Sequence, residues 1–255
     1  MYKLREWIDM DKLSKRNLNT NPNAIQFLKK IDYRDWFHLS VNPAAIRLLE
    51  SNLDKINWTM LSLNPSATHI LKQNLDKIDW FWLSSIPEAI KILEANPEKI
   101  NWTYLSENPA AIPLLEANPE RINWQKLCEN VGAIRLLEQN LDKIYWSNLC
   151  RNPAAIHIIK ANPERIDWRA LSLNPAAIDL LSKNPDQIDW ECLCCNPSAI
   201  QLLEANQDKI NWFLISKNPS IFTYDYQAMS QPFTEELMAN RFHPRNVDKF
   251  EEWGF

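Results

Sequence analysis

Glycine is almost missing, with two residues in 255. Tight β-hairpins rely on positive φ at their turns, so an architecture built from many of them is excluded. No run of eighteen apolar residues occurs, and the opening MYKLREWIDMDK lacks the apolar core of a secretory leader. The chain therefore reads as neither membrane-spanning nor secreted. The five Cys form no framework of paired spacings, which fits a reducing compartment. A formal net charge of −4 offers no general attraction for nucleic acid or an anionic membrane. Gly-rich phosphate loops, zinc-protease motifs and nucleophile-elbow motifs are missing too.

Proline and tryptophan are abundant instead, at 16 and 12 residues. Nine Trp, from Trp36 through Trp58 and Trp80 to Trp212, stand 22 residues apart. Asn keeps the same step from Asn52 to Asn206, and Ile from Ile56 to Ile210. A fixed period of this size means stacked units, each burying its apolar face only against its neighbours.

In the unit NPEKINWTYLSENPAAIPLLEA (96–117), Asn108 reads as a helix N-cap. Pro109 then takes the first helical position, where its missing N–H costs nothing. Ala111, Ile112, Leu114 and Leu115 share one face of the helix that follows, which runs for about ten residues up to Asn118. Asn96-Pro97-Glu98 reads as a second cap. Ile100 and Trp102 lie about 200° apart on a continuous helix, so a 3-10 turn through Ile100 and a short helix capped by Asn101 fit better. The expected fold is all-α, an α-solenoid of 22-residue helix–turn–short-helix repeats with helical end caps. A leucine-rich β-horseshoe fits poorly, because the second apolar residue of its L-x-L strand is usually polar here, as in TYLSENP and QKLCENV.

The unit NPAAIRLLESNLDKINWTMLSLNP resembles the short Asn-Pro repeats of giant nucleocytoplasmic DNA viruses. The tail from Thr223 to Phe255 looks like the C-terminal cap of such arrays, so the resemblance covers nearly the whole chain. It implies a viral repeat protein in the host cytoplasm or the virion, and the motif carries no assigned activity. The alternation of a longer and a shorter helix is also similar to leucine-rich-variant repeats, which form right-handed solenoids.

Three segments follow: residues 1–35 as an N-terminal cap with a degenerate repeat, 36–219 as eight repeats, and 220–255 as a helical C-terminal cap. Glu235 to Arg241 and Pro244 to Trp253 are its expected helices. The stretch IDYRDW is one residue short of the usual spacing. Inside the array, Asn130-Val131-Gly132 lacks the usual Pro, and Pro113 interrupts a helix, which predicts a strained helix and a change of curvature through 108–140.

No catalytic, cofactor-binding or metal-ligating set emerges, and no cofactor is expected. Cys192, Cys194 and Cys195 lack the second pair that a zinc site needs, and Cys194 falls in the slot of Ser62, Ser84 and Ser106, read as a packing slot. His38, His69, His157 and His243 are scattered. The periodic Trp are expected in the core. In a solenoid the structural positions repeat and functional ones vary, and the two residues after each Trp vary most. Met60, Trp82 and Tyr104 form one row there, a candidate strip for a protein partner. Arg47, His69 and Lys91 form a second row, a basic edge for the same partner. The function expected is a non-enzymatic scaffold for protein–protein interaction. A structural component of the virion is the alternative, and single-stranded nucleic-acid binding stands behind both.

Overall fold

A computed structural model describes residues 2–226 together with 228 and 230. The two helices expected between 235 and 253 lie outside those residues. Most units have four elements. Around Asn108 they are a Trp helix (Trp102–Leu105), an Asn-Pro turn of 3-10 form (Pro109–Ala111), an Ile helix (Ile112–Ala117) and a Lys turn, also 3-10 (Pro119–Arg121). The 3-10 turn after Asn130 and the Lys turn before Trp36 are missing. The class is the expected all-α repeat solenoid.

Two of the expected caps hold. The Asn101 side chain accepts from the Tyr104 N–H at 3.1 Å, and Asn108 from the Ala110 N–H at 2.9 Å. Two details differ. Asn108 starts a 3-10 turn, and the α-helix begins only at Ile112, so the expected single helix is two pieces. Asn96 caps backwards: its amide donates to the Ile92 carbonyl at 2.8 Å, closing the preceding Ile helix, and caps nothing ahead of it.

The core is a column of aliphatic side chains. Leu61, Leu83 and Leu105 from the Trp helices meet Leu71, Leu93 and Leu115 from the Ile helices, with Ala67, Ala89 and Ala111 beneath them. The nine repeat Trp, expected to be core, are only half-buried and pack against its edge. A cation from the next unit covers several of the rings: Lys77 Nζ lies 4.5 Å above Trp58, and Lys143 Nζ 4.4 Å above Trp124.

Neighbouring units are joined by side chains that the sequence shows only as regularities. Asn108 is fully buried, and its amide donates to the carbonyls of Ser84 and Ile86 in the preceding unit, both at 3.0 Å. Such a rung recurs at Asn42, Asn64, Asn130, Asn152, Asn174, Asn196 and Asn218. The slot read as packing is a hydrogen-bond relay. Ser84 Oγ donates to the Trp80 carbonyl at 2.7 Å and accepts from the Asn101 N–H of the next unit at 3.0 Å. In the Cys units the sulfur takes over the acceptor role, as Cys150 does for the Asp167 N–H at 3.4 Å.

The array closes on itself. Asn21 donates to the carbonyls of Ser216 and Asn218, at 3.2 and 2.9 Å, the same two slots that every other rung uses. The Ser14 N–H donates to Ser216 Oγ at 2.8 Å, as Asn57 does to Ser40. Lys12 sits 5.1 Å above Trp212, as Lys55 sits above Trp36. Residues 10–24 lie in the segment read from sequence as a cap with a degenerate repeat, and they are the start of a further unit: Met10–Lys12 is its Lys turn, and Lys15–Leu18 is its Trp helix with Lys15 in the Trp slot. Ten Asn-Pro positions, from residue 21 to residue 218, run round the ring, with Ile86 replacing Asn at one of them. Closure therefore needs a turn of about 36° per unit.

At the seam a strand pair stands in place of a tenth Ile helix. Strands β1 (Tyr2–Leu4) and β2 (Phe222–Tyr224) pair antiparallel, with Tyr2 opposite Tyr224 and Leu4 opposite Phe222.

Successive Asn-Pro turns pack closely against each other through most of the array and across the seam. The residue after the Pro position fits that packing, being Ala, Ser or Gly in all units except those of Asn23 and Glu88. At Gly132 an added Cβ would lie 3.1 Å from the Pro109 carbonyl of the preceding unit.

The two central irregularities leave the ring regular. Asn130 keeps its rung at 2.9 Å to both carbonyls, and Asn152 follows at 2.9 and 3.0 Å, so the expected change of curvature is overturned. Pro113 is the second residue of its α-helix, within the first turn where no N–H is needed, so the expected strain is also absent. The short IDYRDW segment drops the 3-10 Lys turn, and Asp32 takes a left-handed conformation (φ 48°) instead.

Candidate functional site

The Trp helix ends in two buried positions, Leu (Ile215 in the last unit) and then the relay slot of Ser or Cys (Asn19 in the first). The two positions that follow Trp are free of those duties; the first is exposed in the repeats, and the second ranges from the buried Ala170 to the half-buried Met60, Trp82 and Tyr104. Phe81, Trp82 and Tyr104 meet there. The Phe81 ring centroid lies 4.0 Å from that of Tyr104 and 4.9 Å from that of Trp82, and Trp82 meets Tyr104 edge-on at 5.1 Å. Trp82, Tyr104 and Met60 are half-buried, whereas Phe81 is 42% exposed. The row that the sequence nominated thus contains a real aromatic contact between neighbouring units. Phe81, in the adjacent slot, was missed as a member, although its place directly beside Trp82 was the available signal.

Lys126 closes one end of this cluster. Its Nζ stands 4.7 Å from the Tyr104 ring and 2.6 Å from a Glu107 carboxylate oxygen. Burial alone would lower its pKa, but the Glu107 hydrogen bond and charge, with Glu129 behind them, outweigh that and raise it above 10.5. The next units continue in polar chemistry: Asn148 donates to Glu129 at 2.6 Å, and Ser147 to Asp167 at 2.6 Å.

Closure changes how this face is composed. Phe213 and Leu214 lie far from Phe37 in sequence, but one unit, carrying Arg16 and Asn17, separates them round the ring. Phe213, Phe37 and Phe81 are all exposed, so the apolar residues of both ends of the array belong to one arc. The opposite arc carries Gln125, Lys126, Ser147, Asn148, Arg169 and Glu191.

The second nominated row lies on the Ile helices, beyond the Asn-Pro turn from the first. Arg47 is exposed, and His69 Nε2 meets Glu50 of the preceding unit at 2.7 Å. Lys91 borders a cavity described below. The structure therefore sets the two rows on different helices of each unit, and a partner touching both has to wrap round the unit.

Burial pushes all five thiols above their usual pKa of 9.0. For Cys192 the Arg169 hydrogen bond opposes this without reversing it. Among the described residues no three His, Cys, Asp or Glu side chains converge on a point where a metal ion would sit. No described helix is long and apolar enough to cross a membrane.

What fold and face define together is a closed α-solenoid ring with one aromatic arc. No protein-family model, curated protein or solved structure matches the chain.

Proposed function

We propose that the ring is a non-catalytic platform that binds a protein partner through the aromatic arc of its Trp-helix face. The observation that carries this reading is the Phe81–Trp82–Tyr104 cluster, in which rings from two units are held together at the surface with Phe81 exposed. Aromatic anchors held in place by packing are the residues that dominate protein interfaces, because they bury large area at little entropic cost. Charged neighbours at Lys126 and Glu107 supply a polar rim.

The periodic Trp support a protein partner over a single nucleic-acid strand. A base needs a free ring face to stack on. Trp36, Trp58, Trp102, Trp124, Trp190 and Trp212 each already carry a Lys or Arg from the neighbouring unit. The resemblance to viral Asn-Pro repeats makes an infected host cell, or the virion itself, the place to look for the partner.

The test is affinity capture from infected cells with the native chain and a Phe81→Ser, Trp82→Ser, Tyr104→Ser variant of matched melting temperature. Loss of one abundant protein from the variant's eluate supports the reading. Unchanged capture removes this arc from consideration, and capture from purified virions alone favours a structural role in the particle.

A further inference from the structure

A cavity of about 480 Å³ opens between the Ile helices Thr68–Lys72 and Ile90–Glu94. That is the size of ordinary small-molecule sites, which run from roughly 300 to 1,000 Å³. It coincides with a junction that departs from the ring's own pattern in four ways. Thr68 stands where the other Ile helices begin with Ile, as at Ile46, Ile90 and Ile112. Ile86 stands where the other units have the rung Asn, so this junction has no rung. Glu88 occupies the position after Pro that is small nearly everywhere else.

The fourth departure is in charge. At two other junctions the slots corresponding to Lys72 and Lys91 hold an opposite-charge pair: Glu50 with His69 at 2.7 Å, and Glu138 with His157 at 2.9 Å. Here both slots are Lys, both border the cavity, and neither has a carboxylate within ion-pairing distance among the described residues. His69 also lines the cavity but is already engaged by Glu50. Two ammonium groups against the one Glu88 carboxylate leave a single positive charge over a wall of Ile92, Leu75 and Ala95.

We propose that this cavity binds a small amphiphilic monocarboxylate. The carboxylate lies between Lys72 and Lys91, and a compact apolar body rests against Ile92 in the space that an Ile at position 68 would take. One net positive charge matches a monoanion. A phosphate dianion would overfill it and leave the apolar wall unused. The site is separate from the aromatic arc, so it stands or falls independently of the protein-binding reading.

The probe is 3-phenylpropionate, with the neutral 3-phenylpropionamide and inorganic phosphate as comparisons, read by methyl NMR on the full chain. Expected is saturable movement of the Thr68, Leu75, Ile92 and Ala95 methyl signals by the acid, with binding at least tenfold weaker for the amide. Thr68→Ile restores the pattern of the other units and should abolish binding, with its fold checked by unchanged signals from remote Ile178. Lys72→Ala with Lys91→Ala, both at the surface, should weaken binding about tenfold without depending on the core substitution. Lys29 and Arg47 occupy the same two slots with Ile25 in place of Thr68, so the nearby Ile25 and Ile46 methyls serve as an internal control. Equal binding of acid and amide, equal effects of phosphate, unchanged binding in Thr68→Ile, or equal movement at Ile25 and Ile46 would each overturn the proposal.

Discussion

Two junctions of the ring invite comparison. At one, between the units of Asn218 and Asn21, the chain is not continuous, yet every inter-unit device is present: the rung, the Ser relay and a cation over the last Trp. At the other, between Asn64 and Ile86, the chain runs straight through and the rung is gone. The Ser relay survives there, since the Asp79 N–H still donates to Ser62 Oγ at 3.0 Å, but Asp79 makes no side-chain cap. Covalent continuity and non-covalent strength have been decoupled. The seam is built like an interior junction and reinforced by the β1–β2 pair, while an interior junction beside the cavity lacks its rung.

The larger effect belongs to the rungs. Asn108→Ala takes the side-chain donor from the Ser84 carbonyl, one of two donors from the Ile86 carbonyl (the Ala89 N–H remains) and the acceptor from the Ala110 N–H, and should cost about 3 kcal/mol in denaturant unfolding. Asn21→Ala removes the same set at the seam and should cost about as much. A seam variant that is nearly neutral beside a costly Asn108→Ala would show that the seam is not an ordinary junction.

A smaller effect, of opposite sign, comes from Ile86→Asn. The substitution gives up the burial of an Ile side chain, about 2 kcal/mol. It gains a cap and two bonds to carbonyls, each about 1 kcal/mol. The net expectation is a gain of about 1 kcal/mol, read as a shift in the denaturation midpoint at unchanged m-value. A loss of stability would mean that this junction has repacked around Ile86 and no longer has room for a rung.

Much of the fold was legible because the same residue often does a local and a visible job. Asn101 and Asn108 read as caps, and they are. The short helix starting at Trp102 was legible from the clash between the Ile100 and Trp102 directions. The inter-unit bonds stayed hidden because they use the atoms that local capping leaves over. The Asn108 side-chain oxygen caps its own turn while its amide reaches the unit before, and a sequence shows only that Asn recurs. The Ser62 slot misled in the same way, since a small residue needed for a relay looks like one needed for packing.

Ring closure was hidden for a different reason. The first unit carries Lys15 where Trp is expected and Ser14 where the cap is Asn or Asp, so the Trp period misses it. Yet Met10-Asp11-Lys12 matches Leu53-Asp54-Lys55, and Asn21 keeps a buried amide that a free end has no use for. Those two signals were present. For the candidate site, Met60, Trp82 and Tyr104 were found from variation against a fixed background, whereas the link from Phe213 to Phe37 exists only once the ends meet.

The closed ring is the central claim, and a distance across the seam tests it most directly. Spin labels on unnatural amino acids at Arg16 and Phe213, which occupy the same slot in the first and last units, are compared with labels at Thr103 and Gln125 in two adjacent interior units. The account predicts two narrow distance distributions with the same mean in double electron–electron resonance. A long or broad distribution for Arg16 and Phe213, beside a short, narrow one for Thr103 and Gln125, would show an open solenoid and contradict it.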